Sequence, residues 1–171
     1  MISVLTVVDL ETAGRIADLV NLVYGESEQG LWKDGAQRTD VEEIIAFVKA
    51  RELAVAWLGG LPAGAVRIQQ LDPDTGAFGM LAADPAVRGR GVGRELVRFA
   101  EDICRERGST VMRLELLVPR GWVSGSKELL RTWYTRLGYQ LHRVGTIDED
   151  YPRLAPQLAG PADYQIYLKR L

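Results

Sequence analysis

Apolar residues along the chain recur with two alternating periods, two residues in some stretches and about 3.6 in others. That is the pattern of a mixed α and β domain without internal repeats. Residues 2 to 8 (ISVLTVV) are β-branched and predict a strand. Asp9 then opens a helix with Leu10, Ala13, Ala17, Val20 and Tyr24 on one face. Residues 25 to 38 are polar and glycine-bearing, contain Trp32, and predict a loop. Thr39 and Glu42 stand at capping-box spacing, so a second helix should run to about Ala50. Residues 53 to 58 and 63 to 71 are apolar runs joined by Gly59-Gly60, a tight-hairpin dipeptide. The turn at residues 72 to 76 (DPDTG) leads to a third strand over 77 to 83.

A glycine-rich segment, Arg88 to Gly93, precedes apolar positions Leu96, Val97, Ala100, Ile103 and Cys104 at helical spacing, and Gly108 closes that helix. Residues 111 to 118 predict a strand, 127 to 137 a helix stopped by Gly138, and 139 to 147 another strand. A proline-bearing loop over 148 to 162 leads to a final strand at 164 to 168. The predicted order is β-α-α-β-β-β-α-β-α-β-β. Its three consecutive strands are antiparallel, and the last strand is expected at a sheet edge.

Composition narrows the chemistry. The 171 residues suit one domain over 1–171 with a core large enough to need no staples. One cysteine and one histidine exclude a disulfide scaffold, a Cys/His zinc site and a CxxC redox pair, and no metal is expected. The longest charge-free run, Leu53 to Val66, is 14 residues, too short to span a bilayer, and the apolar start lacks a basic flank. A reduced, cytoplasmic protein is expected. The net charge of -2 argues against a general nucleic-acid binder. Of 17 arginines, however, four (Arg88, Arg90, Arg94, Arg98) crowd the glycine segment against one Glu95.

A strand, then VRGRGVGRE, then an amphipathic helix is suited to an anion. The first helical turn leaves N–H groups without partners at the positive end of the helix dipole, and glycines admit a phosphate to the main chain. A pyrophosphate suits it best. A Walker loop needs Gly-Lys-Ser/Thr, but here Gly93 precedes Arg94 and Glu95. A dinucleotide fingerprint needs GxGxxG in an opening βαβ unit, and neither the spacing nor the preceding meander provides it.

Arg88-Gly89-Arg90-Gly91-Val92-Gly93 resembles the Arg/Gln-x-x-Gly-x-Gly/Ala signature of the GCN5-related N-acetyltransferases, the GNAT family. Asp84-Pro85 before it and residues 133 to 139 (WYTRLGY) after it resemble two further segments of that family, and the element order matches nearly throughout. The resemblance implies a mostly antiparallel twisted sheet of about seven strands flanked by about four helices, an α/β (α+β) fold. It further implies acetyl-CoA as co-substrate, its pantetheine arm bonded by main-chain groups of Leu81 and Ala83 and its diphosphate wrapped by Arg88, Gly89, Arg90, Gly91, Val92, Gly93 and Arg94. Two strands splay apart in that family, which would put Glu115 beside the gap as a base, directly or through water. Tyr134 matches the family's proton donor to the leaving thiolate and also borders the cofactor.

Acetyl transfer needs a neutral amine, stabilisation of the developing oxyanion and a proton for the thiolate. His142 fits by residue type but not by position, mid-strand beyond the site. Cys104 fits a buried structural thiol. The chain departs from the family in having Lys127 where an asparagine is frequent, seven residues before the tyrosine, and in the extra stretch 119 to 126 (PRGWVSGS). Trp122, Trp32 and the loop at 148 to 162 are expected around the acceptor, with Glu26 and Glu28 attracting a cationic amine. A small-molecule amine is the expected acceptor, with no nucleic acid or membrane partner and a possible homodimer. The alternatives are a non-catalytic acyl-CoA-binding module and acetylation of a protein amine.

Overall fold

The computed structural model describes residues 1–171. Its elements follow the predicted order: β1 (Ile2–Val4), α1 (Leu10–Ser27), α2 (Val41–Lys49), β2 (Leu53–Leu58), β3 (Leu61–Gln70), β4 (Thr75–Ala83), α3 (Val92–Glu106), β5 (Val111–Pro119), α4 (Gly125–Arg136), β6 (Gln140–Gly145) and β7 (Ala162–Arg170). The seven strands form one sheet in the order β1-β2-β3-β4-β5-β7-β6, antiparallel except between β4 and β5. Helices cover both faces. Ala13, Ile16, Ala17 and Val20 of α1 and Ile44, Phe47 and Val48 of α2 pack with Leu53, Val55, Ala65, Met80 and Ala82 on one side. On the other, Leu96, Val97, Ala100 and Cys104 of α3 and Tyr134 of α4 pack with Val66, Ile68, Phe78, Met112, Leu114 and Leu116. No helix is long and apolar enough to cross a membrane.

Several boundaries differ from the sequence reading, each for a physical reason. Only Ile2–Val4 pair with β2, and Val7 is exposed, so β1 ends well before residue 8. Leu10 lies outside the buried stripe of α1, which runs instead through Ala13, Ile16, Ala17 and Val20. That helix continues through Gly25 to Ser27, because its last turn is held from outside: the Ser126 hydroxyl donates to the Ser27 carbonyl at 2.5 Å. Asp40, not Thr39, caps α2, its carboxylate accepting from the Glu43 amide at 2.8 Å. The last strand is not an edge. It pairs with β5 along its whole length and with β6 on its other side, leaving β1 and β6 as the edges.

One acid is buried beneath α3. Glu101 accepts from the Tyr139 hydroxyl at 2.8 Å and from Lys169 Nζ at 2.8 and 2.9 Å, so its charge is paired and hydrogen-bonded. This cluster joins α3, the α4–β6 corner and β7.

The strand β4 changes face midway. Phe78 points toward α3 and α4, whereas Met80 and Ala82 point toward α1 and α2. Strict alternation would put all three on one side. Met80 adopts a left-handed conformation (φ 50°), and the register against β3 slips between Ala65 and Arg67, which inserts a bulge and turns Leu81 toward α3.

The start of β4 lies tight against α3. A Cβ at Gly76 would stand 2.4 Å from Cys104 Sγ and 2.7 Å from its Cβ. Gly76→Ala is expected to cost about 1–3 kcal/mol through overpacking, read as a lower denaturant midpoint with an unchanged slope.

Candidate active site

The parallel pair β4 and β5 holds together over only three residues, Thr75–Ala77 against Val111–Arg113. Beyond that the strands part, and a cavity of about 950 Å³ fills the space between them. Phe78 to Leu81 and Ala83 line it from β4, and Leu114 to Leu117 from β5. Backbone groups facing the cleft have no strand partner there. Such groups need water or a ligand to satisfy them.

Arg88 stands at one end of the cavity. Around it the chain makes a nest. Asp84 accepts from the Ala86 amide at 2.8 Å, starting a short 3-10 turn at Pro85–Val87, and Gly89 (φ 82°) and Gly91 (φ 84°) adopt left-handed conformations. Gly91 is the N-cap of α3 and offers no side-chain acceptor. The amide of Glu95 is the first to find an intrahelical carbonyl, that of Gly91 at 3.0 Å, so those of Val92, Gly93 and Arg94 point free from the helix start. Arg88, Arg90, Arg94 and Arg98 form no ion pair with any carboxylate of the chain. Free amides, a helix dipole and unpaired guanidinium groups together make a turn whose charge suits an anion such as a diphosphate.

Tyr134 lines the cavity from α4. Its ring, 6% exposed, packs against Trp133 (5.0 Å between centroids), Phe78 (6.0 Å) and Tyr139 (6.1 Å), and its hydroxyl makes no hydrogen bond within the protein. Burial, with Tyr24 close by, pushes its phenol well above the ordinary value, so it stays protonated across the working range. Glu115 faces the same cavity from β5. Its carboxylate pairs with Arg113 at 2.7 Å and accepts from the Tyr151 hydroxyl at 3.1 Å. Burial, then the Glu115 charge, raises Tyr151 to about 12. Arg113 also pairs with Asp150 at 2.6 Å, which ties the loop after β6 to the sheet.

The far wall comes from two loops that hold each other. The Ala159 amide donates to the Leu31 carbonyl at 3.0 Å, Lys33 N–H to that of Gln157 at 2.8 Å, and Trp32 bridges Leu158. Trp32 faces the cavity, with its indole N–H donating to Glu28 at 2.5 Å. Glu28 and Lys127 form an ion pair, 8% and 3% exposed respectively. Thus the lysine that departs from the family pattern reaches 99 positions back to fix the end of α1 against the start of α4. Glu26 also lines the cavity. Trp122 does not, packing instead about 3.6 Å from where a Cβ of Gly30 would sit. His142 is exposed on the edge strand, and Cys104 is buried under β4 with its thiol pushed up by burial.

The fold therefore brings Leu81, Ala83, Arg88, Tyr134, Glu115, Glu26, Glu28 and Trp32 to one cavity. Sequence reading missed Tyr24, Arg38, Tyr151 and Tyr164, which line it too. No local signal marks them.

The family model for the acetyltransferase (GNAT) family matches residues 18–121. No curated protein matches the chain by sequence. Among solved structures, an aminoglycoside 6'-N-acetyltransferase complexed with coenzyme A aligns with a TM-score of 0.73 at 16% identity, over 99% of this chain and 96% of its own. The ribosomal-protein-alanine N-acetyltransferase of Brucella melitensis aligns at 0.68 and 15%, over 100% and 99%. A protein from Salmonella typhimurium, solved with its cofactor acetyl-CoA, aligns at 0.69 and 17%, over 100% and 93%. At such identities the likeness speaks for the fold.

Two outcomes follow for stability. Lys127→Met strands the Glu28 charge and is expected to cost about 3–5 kcal/mol, whereas adding Glu28→Gln recovers most of it, measured by denaturant unfolding. Tyr24, Tyr134, Tyr139, Tyr151 and Tyr164 all have raised phenols with burial as the leading cause. A raised folded-state pKa gives stability that is whole below the unfolded value, about 10, and lost above it. Thermal midpoints should hold level up to about pH 10 as far as these groups contribute, then fall.

Proposed function

The chain belongs to the GNAT acetyltransferase family and is an acetyl-CoA-dependent N-acetyltransferase, and we propose that it acetylates a primary amine of a small molecule by direct attack in a ternary complex. The observation that carries this reading is the one cavity that Arg88, at the start of the free-amide nest, lines together with Tyr134 and Glu115. When bound, acetyl-CoA supplies an acetyl group activated as a thioester. The nest from Arg88 to Arg94 takes the diphosphate, and main-chain groups of Leu81 and Ala83 take the pantetheine arm. The whole chain, 1–171, acts as one domain in this reading, and its lone reduced cysteine suits the cytoplasm.

An alkyl ammonium with a pKa of about 10.4 is only about one part in 10³ neutral at pH 7, so a proton must be removed before the nitrogen can attack. Glu115, held by Arg113 and Tyr151, accepts it directly or through water. As the new N–C bond forms and the C–S bond breaks, Tyr134 gives its phenolic proton to the departing sulfur. Its raised pKa keeps that proton available. Cys104, buried beneath β4, is out of reach of the cavity, which favours direct transfer over an acyl-enzyme.

Thiol release from acetyl-CoA over a panel of amines tests this. Tyr134→Phe should lower kcat about 10²-fold with little change in KM for acetyl-CoA, and Arg88→Ala should raise that KM. Tight coenzyme A binding without amine-dependent release would instead support a non-catalytic acyl-CoA-binding module.

A further inference from the structure

We infer that the acceptor amine carries a carboxylate, and that Arg38 binds it. This rests on the acetyl-transfer reading above. Glu26 and Glu43 on the cavity wall form no ion pair, whereas several other charged groups there are satisfied within the chain: Glu28 by Lys127, Glu115 by Arg113, and Arg67 by Glu52 at 2.8 Å while stacked over Phe47. Arg38 differs. It lines the cavity half-buried and has no carboxylate within ion-pair distance.

Arg38 is nevertheless held in place. Its backbone amide donates to Asn21 Oδ1 at 2.9 Å, the Thr39 amide donates to the same atom at 3.1 Å, and Asn21 Nδ2 donates to the Thr39 carbonyl at 2.9 Å. Its guanidinium carbon lies 5.2 Å from the Tyr24 ring centroid, so an aromatic supports the group, and Tyr24, Glu28 and Glu43 lie close enough to favour its charge. A smaller cleft of about 340 Å³ adjoins the main cavity, and Arg38, Tyr24, Glu28, Trp32 and Leu154 line both. Arg38 thus borders both.

A partly desolvated guanidinium with no carboxylate at ion-pair distance is less costly once a ligand completes it. Its planar fork of donors matches a carboxylate in two parallel hydrogen bonds. Arg153, also on the cavity wall and also unpaired, adds a second positive charge. Glu115 on the opposite strand attracts the ammonium end. An acceptor with an amine at one end and a carboxylate at the other, of amino-acid type, satisfies both.

The test compares amino acids with their own carboxamides as acceptors, read as kcat/KM for thiol release, in the unaltered chain and in Arg38→Gln and Arg38→Lys. The two members of a pair differ in amine pKa, but that difference cancels when the same pair is compared between proteins. Arg38→Gln should reduce kcat/KM for the amino acid about 10- to 100-fold more than for its amide, and Arg38→Lys should recover part of the loss. Calorimetry of N-acetyl amino acids on the coenzyme A complex should show the same dependence without turnover. An equal loss for acid and amide, or none, overturns the inference while leaving acetyl transfer intact. No release with any amine, alongside retained coenzyme A binding, overturns both.

Discussion

The parting of β4 and β5 after three paired residues is the constraint on which the site depends. In a closed sheet each main-chain amide and carbonyl would be occupied by the adjacent strand. Here β3 satisfies one edge of β4 and β7 one edge of β5, while the two inner edges face each other across a cavity. Those edges can present main-chain hydrogen-bonding groups to a ligand without unfolding anything. The bulge at Met80 adds to this by turning Leu81 away from the alternation its neighbours follow. Each strand is held on its outer side, β4 by pairing with β3 as far as Ala83 and β5 by full-length pairing with β7.

Around that opening, charge is sorted by partner. The arginines of the Gly89 to Gly93 turn have no carboxylate of their own, which suits them to a diphosphate. Glu28 and Lys127 serve each other and join the end of α1 to the start of α4, closing one side of the cavity. Paired in this way, Glu28 is a part of the wall more than a free attraction for a cation. Glu115 is held by Arg113 and Tyr151, a setting that orients the carboxylate while leaving it at the cavity.

Much of the fold was legible in the chain because its signals are local. The Gly59-Gly60 turn, the helix stops at Gly108 and Gly138 and the switching hydrophobic period each involve neighbours within a few positions, and the element order follows from them. The errors share a different origin. The extension of α1 to Ser27 depends on Ser126, and the interior place of β7 depends on which strands it meets, so neither leaves a mark in its own segment. Strand β4 was legible as a strand, yet its change of face at Met80 was not, since nothing about a methionine predicts a left-handed residue.

The same division holds for chemistry. Sequence by itself determined the glycine turn suited to an anion, since glycines that free the main chain, a helix start and a cluster of arginines lie within one short stretch. It also marked Tyr134 and Glu115 through the family's pattern. Only the tertiary structure decided what surrounds them: that Lys127 neutralises Glu28, that Tyr151 and Arg113 hold Glu115, and that Arg38 is anchored through its backbone with no carboxylate at ion-pair distance. Pairing of charges across 99 positions is settled by burial and by which helix ends meet, and those are properties of the packed chain that no local stretch contains.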